Sequence, residues 1–284
     1  MVEAFRMSLA TMLAIIVSAS LVTSMRTQQT VDLESVLRAA YHESGAVTES
    51  KAALLGLEEP VSFLSVGDRN ASSLLVVLLH GMAFTASTWK FVGTLDALAN
   101  AGIPAVALDL YGYGGQYASA SVRKSLLRQF LQAIGWSHPV VVVAASMGGT
   151  VGAPFVLQAP HVQAVAGYVS VSALLSGVGV SHSNVPALLV WGDQDSPNSN
   201  KAIAHENMFT THQKVVLPDA PHPCYLKWPK AFNALLVAFA AGPQASVTQA
   251  DQALLAEAGV PALKVHAAAS GSARGRAVKA SQEL

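Results

Sequence analysis

Val140-Val141-Val142-Val143-Ala144-Ala145-Ser146-Met147-Gly148-Gly149 is the stretch that decides how this chain is read. Four successive valines have the composition of a strand buried on both faces, as in a parallel sheet covered by helices. The run then meets one serine among small residues, and residues 150–158 follow as a helix candidate. A sharp strand-to-helix turn lifts such a serine clear of the sheet, and small neighbours permit the strained backbone. The pattern is A-x-S-x-G, with Ala144 where the motif usually opens on glycine. Its methyl is tolerable if the neighbouring elements leave room.

Working outward, apolar runs of strand length lie at residues 74–79, 105–110, 165–171, 187–191 and 214–217. Helix candidates at residues 94–101, 122–134, 201–209 and 230–240 fall between or after them. This alternation predicts an α/β fold, a mostly parallel sheet with helices on both faces. Ligands of such sheets bind beyond the carboxyl ends of the strands. Those ends carry His80-Gly81-Met82, Ala145-Ser146-Met147, Gly192-Asp193-Gln194-Asp195 and Pro218-Asp219-Ala220-Pro221-His222. Serine, acid and histidine therefore follow one another in the chain order of a Ser-Asp-His hydrolase rather than that of the two other well-known serine protease folds.

Each residue type suits one task. A serine hydroxyl is a weak nucleophile until a base takes its proton, so Ser146 is the candidate nucleophile and His222 the candidate base. Alone, Ser146 reads equally as a helix N-cap; the matched acid and histidine favour the nucleophile. His222 is the histidine that lies both downstream of the acid and directly after a strand. Asp195 is favoured over Asp193 as the acid, because the first Asp of such a turn usually caps it. The amides of Met82 and Met147 are the candidate oxyanion donors, a role that asks nothing of the side chain. His80 reads as a brace for the Met82 loop, Asp109 as a turn anchor, and Cys224 as poorly placed for nucleophilic chemistry. Residues 111–115 fail the G-x-G-x-x-G spacing, and neither a P-loop nor H-E-x-x-H occurs.

Composition removes other classes. The chain has 284 residues, and its 17 Lys and Arg balance 17 Asp and Glu. That leaves no electrostatic case for nucleic acid. One cysteine allows no internal disulfide and no multi-cysteine zinc site. Residues 7–25 carry no charge and are flanked by Arg6 and Arg26, so residues 1–26 are expected to be a signal-anchor or a signal peptide. Single-pass membrane association or the secretory pathway follows from that expectation, with a cytoplasmic location as the alternative. Asn70-Ala71-Ser72 is a glycosylation sequon that matters only on the secretory route. Residues 27–59 are expected to be a linker or stalk and residues 60–241 the folded unit. Residues 242–284, rich in Ala, Gly, Ser and Gln, are expected to form a disordered tail.

The segments HGMAFTASTWKFVGTLDALANAGIPAVALDLYGYGG, AASMGG, PALLVWGDQD and APHPCYLKWP together resemble the α/β-hydrolase domain-containing protein 14 family. The resemblance covers about residues 60–241 and is closer to the membrane-anchored form. It implies Ser146 as nucleophile, Asp195 as acid and His222 as base. It also implies small acyl substrates: ester hydrolysis, or removal of an acetyl group from lysine with transfer to coenzyme A. No cofactor is required, coenzyme A serving only as an acyl acceptor. About fifteen residues separate the strand ending near Val171 from the strand at Ala187, too few for a large helical cap. An open, shallow site for short acyl chains, or for an acyl group carried on a protein, is expected. The rival reading from another class is a hydrolase fold that acts by binding a protein partner. A dehalogenase or epoxide hydrolase would need Asp where Ser146 stands.

Overall fold

A computed structural model of the chain describes residues 47–110, 120–157, 165–175, 182–195, 199–243 and 264–267. In order these form β1 Thr48–Ala52, β2 Val61–Val66, β3 Leu75–Leu79, α1 Ser87–Phe91, α2 Thr94–Asn100, β4 Ala105–Leu108, α3 Ala120–Ala133 and β5 Val140–Ala145. They continue with α4 Gly149–Leu157, β6 Val165–Val171, β7 Ala187–Gly192, α5 Ser199–Met208, β8 His212–Leu217, α6 Cys224–Lys227, α7 Pro229–Ala241 and β9 Lys264–Ala267.

The described strands make one nine-stranded sheet in the order β1-β2-β4-β3-β5-β6-β7-β8-β9. From β4 through β8 every neighbour is parallel. The pairs β1–β2, β2–β4 and β8–β9 are antiparallel. The continuous apolar runs sit at the centre because both faces there are covered. Leu75, Val77 and Leu79 of β3 face Leu126 and Phe130 of α3 and Val151 and Phe155 of α4. Val76 and Leu78 face the other way, into a core with Trp89 of α1, Leu95 of α2 and Phe232 and Leu236 of α7. A period of two thus feeds two cores, each buried aliphatic side chain being worth about 1.5–3 kcal/mol.

The folded unit is wider than residues 60–241. Thr48–Ala52, within the expected stalk, pairs with β2, and Lys264–Ala267, within the expected disordered tail, pairs with β8. An outer strand is held by backbone bonds along one side, so it needs no apolar signature. In β1 that shows directly: Thr48, Glu49 and Lys51 are exposed. Charged, polar outer strands also resist edge-to-edge association.

Among the described residues no helix is long and apolar enough to cross a membrane. Residues 7–25, the expected anchor or signal sequence, and residues 111–115 lie outside the described residues.

Candidate active site

Ser146 follows directly on β5 and has φ 46°, left-handed backbone that non-glycine residues seldom adopt. Two contacts force this turn. Gly148 packs so close to β3 that an added Cβ would lie 2.7 Å from the Leu79 carbonyl oxygen. Gly149 packs against the strand end beyond β6, where a Cβ would lie 2.3 Å from the Leu174 carbonyl oxygen. The amide of Leu174 also donates to the carbonyl of Ser146 at 2.8 Å. The methyl of Ala144, fully buried, is accommodated by α4. Its neighbour there is Gly152, where a Cβ would stand only 3.0 Å from that methyl. The glycine expected at the start of the turn has in effect moved across the interface.

The three candidate groups meet in one chain of hydrogen bonds. His222 Nε2 lies 2.7 Å from Ser146 Oγ, and His222 Nδ1 lies 2.9 Å from Asp195 Oδ2. An ionised Asp195 can only accept, so Nδ1 carries hydrogen and Nε2 is left to accept from the serine hydroxyl. The Asp195 side chain is 2% exposed and that of His222 37%. The carboxylate is therefore dry and the imidazole faces the open side. Asp193 does a different job: it is exposed and accepts from the amide of Ala220 at 3.2 Å, tying the acid loop to the histidine loop. Gly192 makes that approach feasible, since a Cβ there would lie 2.1 Å from the Ala220 carbonyl oxygen.

The Met82 loop abuts the serine turn, with an added Cβ on Gly81 only 3.4 Å from Ser146 Cβ. His80 orients the loop. Its Nε2 accepts from the Leu110 amide at 2.9 Å, so Nδ1 is the protonated nitrogen and donates to the Gly81 carbonyl at 2.7 Å. A planar trans peptide directs the Met82 N–H opposite to that carbonyl. Among the described residues, the amides of Met82 and Met147 find no acceptor. The Met147 amide belongs to the first turn after the strand, where N–H groups lack partners within the helix. Burial lowers the pKa of His80, keeping it neutral. Asp109 accepts from the amide of Ala86 at 2.6 Å and so anchors the start of α1.

Cys224 is fully buried, and burial together with the Asp195 charge pushes its thiol up to about 12. It is no nucleophile at neutral pH. Asn70 lies exposed on the short turn Arg69–Ala71, before the N-terminal end of β3 and at the far end of the strands from Ser146. A cavity of about 450 Å³ lined by Arg69, Asn70, Trp136 and His138 opens at that far end and includes no residue of the Ser146 chain. Among the described residues no group of His, Cys, Asp and Glu could hold a metal ion.

Sequence reasoning missed the supporting shell. Trp89 stacks on Tyr225 with ring centroids 5.0 Å apart, and Phe84 meets Tyr225 edge to face at 6.3 Å, which joins the Met82 loop to the His222 loop. The co-occurrence of H-G-x-x-F-x-x-x-T-W with H-P-C-Y was the available signal, now explained by contact.

The model of the alpha/beta hydrolase family matches residues 76–278. Protein ABHD14A of Danio rerio is 35% identical over 186 residues, 62% of this chain and 67% of that one. The candidate protein-lysine deacylase ABHD14B of Homo sapiens is 35% identical over 179 residues, 60% of this chain and 84% of that one. Among solved structures, a CIB-like hydrolase from Thermoplasma acidophilum superposes with a TM-score of 0.59 at 24% identity, covering 68% of this chain and 97% of that one. A thermophilic esterase from Thermogutta terrifontis gives a TM-score of 0.56 at 14% identity, over 70% of this chain and 100% of that one. These two likenesses concern the fold. From the sheet order, the serine turn and the sequence relatives together, the chain belongs to the α/β-hydrolase family and, within it, to the ABHD14 family.

Proposed function

We propose that this hydrolase-fold chain is a serine hydrolase acting on small acyl groups, with Ser146 as nucleophile, His222 as base and Asp195 as the acid that orients it. The observation that carries the reading is the unbroken bonding from Ser146 Oγ through His222 to a buried Asp195 carboxylate, set on a strained turn.

In this reading His222 Nε2 takes the hydroxyl proton while Ser146 Oγ attacks the acyl carbonyl. The Met82 and Met147 amides stabilise the oxyanion; one such donor is typically worth about 100-fold or more in rate. Asp195 holds the tautomer and stabilises the imidazolium, which then protonates the leaving alcohol or amine. Water, or a thiol such as that of coenzyme A, next attacks the acyl-serine with His222 again as base. The acyl group leaves as a carboxylic acid or a thioester, and the enzyme returns to its starting state.

Acyl-lysine is included among the substrates because a relative is named a candidate protein-lysine deacylase. The short connection between β6 and β7, residues 172–186, supports an open site that an acylated protein could reach. The test is turnover of p-nitrophenyl acetate and of an acetyl-lysine peptide, with and without coenzyme A. Acetate or acetyl-coenzyme A should form with the wild type and fall to background with Ser146→Ala. Turnover that survives Ser146→Ala would defeat the proposal.

A further inference from the structure

At the N-terminal end of the parallel strands, opposite Ser146, two turns wall a cavity of about 450 Å³, a size that suits a small ligand. One is the turn after β2. Gly67 holds φ 76° and packs where a Cβ would lie 2.8 Å from Pro104 Cα, and the Asp68 carboxylate accepts from the Asn70 amide at 2.9 Å. These contacts fix the short turn Arg69–Ala71. The other is the end of α3. Gly135 holds φ 69°, its amide donates to the Gln132 carbonyl at 3.0 Å, and the Trp136 amide donates to the Leu131 carbonyl at 2.8 Å. That pattern is a Schellman cap, which turns the chain sharply and occupies two carbonyls of the helix end. It fixes Trp136, which packs against the core and meets the His138 ring edge to face at 5.4 Å.

Donors on these walls lack acceptors. Arg69 and Trp136 both line the cavity. The Arg69 guanidinium, always charged and carrying five N–H donors, makes no hydrogen bond or ion pair among the described residues, and its Nη1 is buried. The Trp136 Nε1–H is buried without a partner as well. The indole N–H groups of Trp89 and Trp191 are also unmet, but those side chains are enclosed by the core. Trp136 instead stands on a cavity beside a cation. Asp68 supplies the one carboxylate among the residues that line it, and that group is engaged by the Asn70 amide rather than by Arg69. A buried donor left unmet is costly, and a charged one most of all. Arg69 is half-buried, so part of its surface remains open to a guest that brings acceptors.

We propose that this cavity is a second binding site, for a small organic anion: a carboxylate or phosphate group takes the Arg69 guanidinium and the Trp136 Nε1–H, and the body of the ligand lies against the Trp136 and His138 rings. A guanidinium fork matches the paired oxygens of either group. The volume admits more than a bare ion. The site shares no residue with the Ser146 chain, so it stands or falls independently of the nucleophile reading. Asn70 is exposed and lines the same cavity, so the protein for the test is made in bacteria, where the sequon stays bare.

The experiment follows the indole N–H resonance of Trp136 in the nitrogen-labelled full chain, assigned by its loss in Trp136→Phe. Phenyl phosphate, benzoate and uncharged benzamide are titrated at constant ionic strength. The two charged probes separate a phosphate site from a carboxylate site, and benzamide keeps the ring while removing the charge. At least one anion should shift the resonance saturably with a Kd of about 1 mM or tighter, and benzamide should bind at least about tenfold more weakly. Arg69→Gln should weaken the anion by about tenfold or more. A resonance that shows no saturable shift with either anion up to about 10 mM overturns the proposal. So does a folded Arg69→Gln variant that binds the anion as the wild type does. Should Arg69→Gln fail to fold, the wild type decides through benzamide: binding equal to that of the anions overturns the proposal, and binding about tenfold weaker supports it.

Discussion

At the N-terminal ends of the parallel strands, left-handed backbone falls on glycine: Gly67 before β3, Gly102 before β4 and Gly135 before β5. At the C-terminal ends of β5, β6 and β8 it falls on Ser146, Ser172 and Asp219. The glycines at the C-terminal ends have another purpose. Gly148, Gly149 and Gly192 would each drive a Cβ into backbone at 2.7, 2.3 and 2.1 Å, whereas Gly102 and Gly135 have nothing within 4 Å of that position. At Gly102 and Gly135 glycine therefore supplies conformational freedom alone, at Gly148, Gly149 and Gly192 it permits close approach, and Gly67 does both, since a Cβ there would lie 2.8 Å from Pro104 Cα. A turn residue whose side chain is needed cannot be glycine, so at Ser146 the strain is borne and held by packing.

Four comparisons probe this contrast. Asp195→Asn should lower kcat about 10³–10⁴-fold by removing the acceptor that sets the His222 tautomer. Asp193→Asn, which touches only the turn, should cost less than about tenfold, and p-nitrophenyl acetate kinetics compare the two. Comparable losses would erase the distinction between the dry acid and the capping acid.

Gly149→Ala should destabilise by about 3 kcal/mol and slow labelling, because Leu174 backbone cannot yield as a flexible side chain would. Gly102→Ala should cost only about 1 kcal/mol, from φ alone. Urea midpoints measure both, and equal losses would break the contrast between the two ends.

Acid should weaken the fold through His205. Burial lowers its folded-state pKa to about 4 from 6.5, and its Nδ1 bond is to the uncharged hydroxyl of Ser170. Between those values the unfolded chain binds a proton that the folded chain refuses. Stability is thus full above pH 6.5 and declines as pH falls toward 4, by up to about 3 kcal/mol from this residue. His80, lowered by burial as well, adds to the decline in the same direction. Stability curves from pH 7 to 4 should be shallower for His205→Phe, and an unchanged slope would contradict this.

The smallest effect is the strain itself. Ser146→Gly should be more stable than Ser146→Ala by about 1 kcal/mol, since glycine relieves the positive φ that alanine keeps. In a right-handed helix the order would be reversed.

Legibility in the sequence followed the same division. The six parallel strands were readable because both faces are buried, as in VVVVA. Val61–Val66 and Thr48–Ala52 were not, being half-exposed or polar, and Lys264–Ala267 hides within a stretch of tail composition. Ser146, Asp195 and His222 could be found because each stands where a strand ends. Gly152 opposite Ala144, and His205 bonded to Ser170, could not, because they act across contacts that no local spacing records.

The most direct measurement of the central claim is intact-mass analysis after fluorophosphonate treatment of the folded wild type beside Ser146→Ala and His222→Ala. A single adduct on Ser146, absent from Ser146→Ala and formed at least about 100-fold more slowly in His222→Ala, is the predicted result. A folded wild type without an adduct, or an adduct that persists in Ser146→Ala, would contradict it.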